Sequence, residues 1–338
     1  MGVRKMGAPV AVATVRAAVA AVASTSMLSA CTPEPPPEPM PAPETRDDVP
    51  LPPGATLDPA GVDPKHYSER ADWPGSLRPD GKEPTERVPE IVKRGRIIVG
   101  VDQSLYLLSF RDNATGELQG FEVDLAREIA RDIFGDPERV DFRFVDSTQR
   151  TELLQAGQVD IIIRTMSITN DRLSAVDFST PYLDSSVRML VPAASEIRSR
   201  GDVTTQRVCV ADGSNVVDMA RQFFPAQEVL RTRTWTDCLM AMQQYQAGVI
   251  LSDETILAGA AAQDPLTAVA SDAFAQQQYS VGIPKGYDGL TRQVNSTIER
   301  IRRDGTWDAM FATWLGPHLA GRSAPDLIYR EETGESNE

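Results

Sequence analysis

The chain has 338 residues and a formal charge of −14, with 41% hydrophobic and 24% charged residues. That is enough apolar material for one large or two ordinary domains around a real core, and the acidic balance argues against a nucleic-acid binder, which needs a basic footprint. Two histidines, His66 and His318, and three cysteines, Cys31, Cys209 and Cys238, are too few for a Cys/His zinc site and leave a Ser-His-Asp hydrolase only poorly placed bases.

In chain order, the first 30 residues read as a secretory signal. Arg4, Lys5 and Arg16 form a positive start, and residues 17–28 a short Ala/Val-rich run. A membrane span needs about 20 apolar residues, so this run is too short to be one. It ends in Leu28-Ser29-Ala30-Cys31, which resembles the bacterial lipobox. Cleavage before Cys31 and lipidation of Cys31 are therefore expected; an ordinary cleaved signal with Cys31 incidental is the competing reading. Cleavage removes three positive charges and leaves −17. Of 25 prolines, 12 fall between Pro33 and Pro64. Proline fixes φ and lacks an amide donor, so the stretch up to Pro64 is expected to form a stiff, extended spacer outside the packed domain; residues 31–93 as a whole comprise Cys31, this tether and an N-terminal extension. A Pro-rich ligand for a partner is the alternative. Whether Tyr67 and Trp73 pack on the folded part is left open.

From residue 94 the pattern changes. Residues 96–101 are a short apolar run, read as a buried strand. Asn113-Ala114-Thr115-Gly116 reads as a turn. Phe121, Leu125, Ile129 and Ile133 recur at i+4 steps, widened by Val123, Ala126 and Ala130, as on an amphipathic helix lying on a sheet. Residues 140–145 alternate like a strand, 151–155 are helical, and 159–163 are an apolar strand. This β-α-β-α-β order implies parallel strands in an open α/β sheet, whose ligands bind outside the carboxyl ends of the strands. The same grammar restarts with a strand at 207–211, the turn Asp212-Gly213-Ser214-Asn215, helices at 216–224 and 238–245, and a strand at 249–251 ending at Asp253. Residues 287–315 read as a long helix and an aromatic-rich turn with Trp307, Phe311 and Trp314.

Gly120-Phe121-Glu122-Val123-Asp124-Leu125 resembles the signature of family-three extracellular solute-binding proteins, the polar amino-acid receptors of bacterial ABC importers. Gly157-Gln158-Val159-Asp160, Met166-Ser167-Ile168-Thr169 with Arg172, Asp177-Phe178-Ser179-Thr180-Pro181-Tyr182, the segment from Tyr279 to Lys285, and Gly305-Thr306-Trp307 with Trp314-Leu315-Gly316 resemble further family segments in order. The resemblance runs from about residue 94 to 316. It implies a two-lobed, type II periplasmic-binding-protein fold, α/β in both lobes. Lobe one is expected at 94–188 plus 282–316, lobe two at 193–277, crossovers at 189–192 and 278–281, and a tail at 317–338.

The resemblance also implies a binding site and a role. Arg172 matches the arginine that takes the ligand α-carboxylate, for which a planar guanidinium fork is suited; Ser167 shares that group. Asp253 matches the acceptor of the ammonium, with a helix N-cap as its plainer role. Ser214 and Asn215 match donors of the lobe-two turn or caps of its helix. Thr165 matches a ligand-facing position. Leu105 falls where relatives carry an aromatic, and Tyr106 substitutes for it. Arg164, at a strand end, is expected either beside the ligand side chain, favouring Glu, Gln, Asp or Asn, or paired with Asp102. Cys209 and Cys238 are expected to form a disulfide, with two buried thiols as the alternative. The implied protein is a lipid-anchored, extracytoplasmic monomer, with no cofactor or metal, that hands a polar amino acid to an ABC permease or reports it to a membrane sensor protein. A cyclohexadienyl dehydratase-like enzyme is a minor alternative.

Overall fold

The strand–helix–strand order read from residue 94 onward builds one sheet, and its repeat builds a second. The computed structural model describes residues 45–64 and 71–332; the signal, Cys31 and Tyr67 lie outside them. In the first lobe, Ile97–Val101 runs between parallel neighbours Val140–Phe144 and Ile161–Ile162. Gly282–Pro284 joins antiparallel, followed by Val176–Phe178. Helix Phe121–Phe134 packs on this lobe with Phe121, Leu125 and Ile129 fully buried, while Arg127 and Arg131 stay on its wetter side. It ends at Gly135 in the left-handed conformation, the usual helix stop. Its entry requires Gly120, where an added Cβ would lie 2.3 Å from the Leu108 carbonyl oxygen.

In the second lobe, Val208–Ala211 lies between parallel Val229–Thr232 and Val249–Asp253. Helix Trp235–Gln243 starts at a Thr234/Asp237 capping box. Cys209 on the central strand and Cys238 on this helix are joined in a disulfide. The aromatic-rich turn expected near the C-terminal end is instead helical, in keeping with the C-terminal helix pair that Gly305-Thr306-Trp307 and Trp314-Leu315-Gly316 resemble: Thr306–Trp314 follows Asp288–Arg303, and Trp307 stacks on Phe311 with centroids 5.0 Å apart. The apolar face of Trp307, Met310 and Phe311 recurs every three to four residues, which a turn would not use.

The first crossover lies earlier than expected. Leu183–Pro192 is one unbroken strand; residues 187–190 pair with Val249–Asp253, and 183–187 pair with Ala275–Tyr279. Residues 189–192 therefore sit inside the second lobe's sheet. The two chains pass between the lobes where the Ser179 amide donates to the Val281 carbonyl and the Tyr182 amide to the Tyr279 carbonyl.

The N-terminal extension is also docked, at residues 45–64 and 71–94. Thr56–Asp58 adds an antiparallel edge strand beside Val229–Thr232. Asp58 pairs with Arg221 and Arg231, Asp47 pairs with Arg207, and the Gln246 amide donates to the Val49 and Pro50 carbonyls. An edge strand tolerates nearby proline because its outer amides need no ladder partner. Residues 71–94 then lie on the first lobe, with Trp73 against the Val145, Leu154 and Met166 cluster and the Ser76 hydroxyl donating to the Phe178 carbonyl. The tail returns over both lobes: Arg322 pairs with Glu254 of the second, and the Ile328 amide donates to the Thr180 hydroxyl of the first.

Candidate functional site

The carboxyl ends of both sheets face one cleft, and the groups there are few and charged. Arg172 stands on the short helix Asn170–Leu173, whose N-cap is Thr169. Its Nη1 donates to the Ser167 carbonyl at 2.7 Å. Burial lowers its pKa to about 10, against the opposing pull of Asp253. Asp253 ends the strand Val249–Asp253 of the other lobe. It occupies the N-cap position of helix Glu254–Gln263 yet makes no capping hydrogen bond with its side chain. Its buried Oδ1 has no hydrogen-bond partner among the described residues. Burial pushes its carboxyl up to about 6, moderated by the Tyr279 hydroxyl and Arg172. A cation and an anion from different lobes, each incompletely satisfied, can take the two charges of a zwitterion.

Between them runs the segment 164–167. Thr165 has φ +42°, a conformation a β-branched residue rarely adopts. Strain of this kind concentrates at functional sites. Its amide donates to the buried Glu122 carboxylate at 2.6 Å. Ser167 is fully buried; its backbone bridges to Tyr279, and its hydroxyl is without a partner among the described residues.

Arg164 is not placed as a free ligand-side cation. It is buried and paired with Asp102, and its Nη1 donates to the Ser147 hydroxyl at 2.5 Å. Asp102 accepts in addition from the Gln103 amide, the Ser104 amide and the Ser104 hydroxyl, each at 2.7 Å. Both are therefore committed to holding the first loop against the 161–164 segment. Leu105 is buried in the hairpin pairing with Ser109, and the Tyr106 ring lies 4.7 Å from Phe110. The Ser214 hydroxyl donates to the Ala211 carbonyl inside its own turn, and the Asn215 amide donates to Gln277 on the return strand, so neither side chain caps the helix Val216–Phe223.

The residue that sequence reasoning missed is Arg150. It opens helix Arg150–Gln155, is almost wholly buried, and donates through Nε to the Ser147 carbonyl and through Nη2 to the Gly213 carbonyl of the opposite lobe, both at 3.0 Å. Burial, then its neighbours Arg172 and Arg164, hold its pKa well below the usual value. The signal was slight: one arginine just past a strand end, with no motif around it. Gly213 is required where the lobes touch, since an added Cβ would stand 2.8 Å from the Thr148 amide. Arg233 and Asp146 close the same side at 2.9 Å. A groove of about 890 Å³, lined by Ile91, Asp160, Lys285 and Tyr287 of lobe one, holds none of these groups.

Residues 97–317 match the bacterial extracellular solute-binding proteins, family 3. The chain belongs to this family. The chain is similar to the ABC transporter glutamine-binding protein of Bacillus subtilis, with 29% identity over 221 residues, covering 65% of this chain and 81% of that one. It is similar to the glutamine-binding protein of Geobacillus stearothermophilus at 32% over 214 residues, covering 63% and 82%. Among solved structures, the L-cysteine solute receptor of Neisseria gonorrhoeae superposes with a TM-score of 0.65 at 25% identity, covering 69% of this chain and 95% of that one. The family match leaves out the docked residues 45–64 and 71–96 and the tail after 317.

Proposed function

We propose that this family 3 protein is an extracytoplasmic, lipid-anchored receptor that captures an acidic or amide amino acid and presents it to an ABC permease. The observation that carries the reading is the pairing of Arg172 and Asp253 across the cleft, each from a different lobe and each with capacity left for a ligand. In this reading Arg172 and Ser167 take the α-carboxylate, Thr165 lines the segment between, and Asp253 takes the ammonium. Arg150 assumes the side-chain role first expected of Arg164, because Arg164 is neutralised by Asp102 whereas Arg150 has no carboxylate bonded to it among the described residues. The mature chain is strongly negative, so its overall field repels an anionic ligand and local cations must offset this. The names of the glutamine-binding relatives support the ligand class. A binding role, rather than catalysis, is favoured because the cleft charges already match a zwitterion.

Isothermal titration with Glu, Gln, Asp, Asn, Arg and Leu tests the ligand class. The acidic and amide ligands are expected to bind and Arg to be rejected, since it would put like charges together. Arg150→Ala is expected to weaken Glu and Asp more than Gln and Asn. Tightest binding of Arg or Leu would sink the reading. For the anchor, Cys31→Ala is expected to release the protein from membranes with its affinity intact, and continued co-sedimentation after a salt wash would exclude lipidation at Cys31.

A further inference from the structure

Glu122 is the second residue of helix Phe121–Phe134 and its side chain is completely shut off from solvent. Its Oε1 accepts from the Thr165 amide at 2.6 Å and from the Tyr182 hydroxyl at 2.5 Å. Its Oε2 is buried with no hydrogen-bond partner among the described residues. An ionised carboxylate left half-satisfied in the interior is costly.

The charges around it can be counted. Arg164 faces it from the 161–164 segment, Asp102 from the end of Ile97–Val101, Arg150 from its own helix, and the Tyr182 and Tyr279 hydroxyls from the two crossing strands. With Arg172 and Asp253 added, the cations Arg150, Arg164 and Arg172 stand against the acids Asp102, Asp253 and Glu122; Glu254 beside Asp253 is already paired with Arg188 and Arg322, and Asp171 beside Arg172 is exposed to solvent. Fully ionised, these six groups balance. A zwitterion with a neutral side chain preserves the balance, whereas a glutamate or aspartate adds one negative charge to a dry space.

We propose that Glu122 takes up a proton from solvent when an acidic ligand is captured, and none when an amide ligand is captured. Asp102 is fully engaged by Arg164 and three further donors, which leaves its carboxylate no room for a proton of its own. Asp253 is held ionised once it accepts the ligand ammonium. Glu122 is the remaining acid. A proton on Oε2 leaves both bonds at Oε1 in place, so the strained Thr165 amide stays fixed while the charge changes. Glu122 is thus a positioning residue that acts on the ligand through Thr165 and through the charge balance. Burial has already pushed its carboxyl up to about 7, and a second ligand carboxylate nearby pushes it further in the same direction.

The inference rests on the acidic-or-amide reading above, and titration calorimetry of the mature chain separates the two. Glutamate and glutamine are titrated from about pH 7 to about pH 8, below the range in which a free amino acid's ammonium loses its proton, in phosphate and in Tris, whose ionisation heats differ. Glutamate binding is expected to take up as much as one proton and to weaken as pH rises, by up to about tenfold per unit. Glutamine binding is expected to show neither effect. Glu122→Gln, a neutral side chain of the same shape, is expected to bind glutamate with a pH-independent affinity. Should that variant not fold, Tyr182→Phe removes a donor to the carboxylate and must move the weakening to higher pH. Equal proton linkage for both ligands, an unchanged pH slope in Glu122→Gln, or an unmoved onset of the weakening in Tyr182→Phe overturns the inference alone. Failure of both ligands to bind overturns the ligand reading, and the inference with it.

Discussion

Arg172→Ala and Asp253→Asn are each expected to weaken ligand binding by about two to three and a half decades in Kd. Removing one partner leaves a ligand charge in the cleft without its counter-charge, a loss of about 3–5 kcal/mol. Arg172→Lys should fall between, since an ammonium keeps the charge but lacks the two-pronged donor geometry. Asp253 adds a pH signature. Its carboxyl is raised to about 6 in the ligand-free protein, and only the ionised form accepts an ammonium. Below about pH 6 binding must therefore expel a proton, and affinity falls as pH drops, by up to about tenfold per unit. Asp253→Asn should abolish this acid limb along with most of the affinity. Calorimetry with whichever amino acid binds wild type best measures all of these effects, and wild-type-like curves for both substitutions would refute the clamp.

The second large effect concerns the disulfide. Cys209–Cys238 closes a loop with a sequence separation of 29 and ties the central strand of the second lobe to helix Trp235–Gln243. Restricting the unfolded chain this way stabilises by about 3–4 kcal/mol. Replacing both cysteines by alanine should lower the thermal midpoint of the transition that includes this lobe by roughly 6–15 °C. Both cysteines are fully buried, so mild reductant should leave the native bond intact and cleave it only as the lobe opens. Scanning calorimetry of the double variant measures the shift. A midpoint within about a degree of wild type would show that the bond contributes nothing to stability.

Much of the frame was legible before any coordinates. The i+4 spacing of Phe121, Leu125, Ile129 and Ile133 permits a buried stripe on a helix, and the observed helix buries that stripe. The apolar runs at 97–101 and 249–251 became inner strands because a strand covered on both faces needs no alternation. Cys209 and Cys238 were the two cysteines left once Cys31 was set aside for the expected lipid anchor, and they are bonded.

What the sequence did not decide were matters of partnership between distant segments. Residues 189–192 continue an unbroken strand, and a strand carries no mark of the sheet it will join; pairing with Val249–Asp253 assigned them to the second lobe. The proline-rich composition before residue 64 gave no sign of docking, which Arg207, Arg221, Arg231 and Gln246 create from well over a hundred residues away. Arg150 and Arg164 are separated in role only by the folded chain. Asp102 pairs with one of them, and the lobe contact at Gly213 positions the other. Periodicity and side-chain chemistry act locally and so survive in the sequence, whereas which buried charge is neutralised depends on through-space distances that only the folded chain sets.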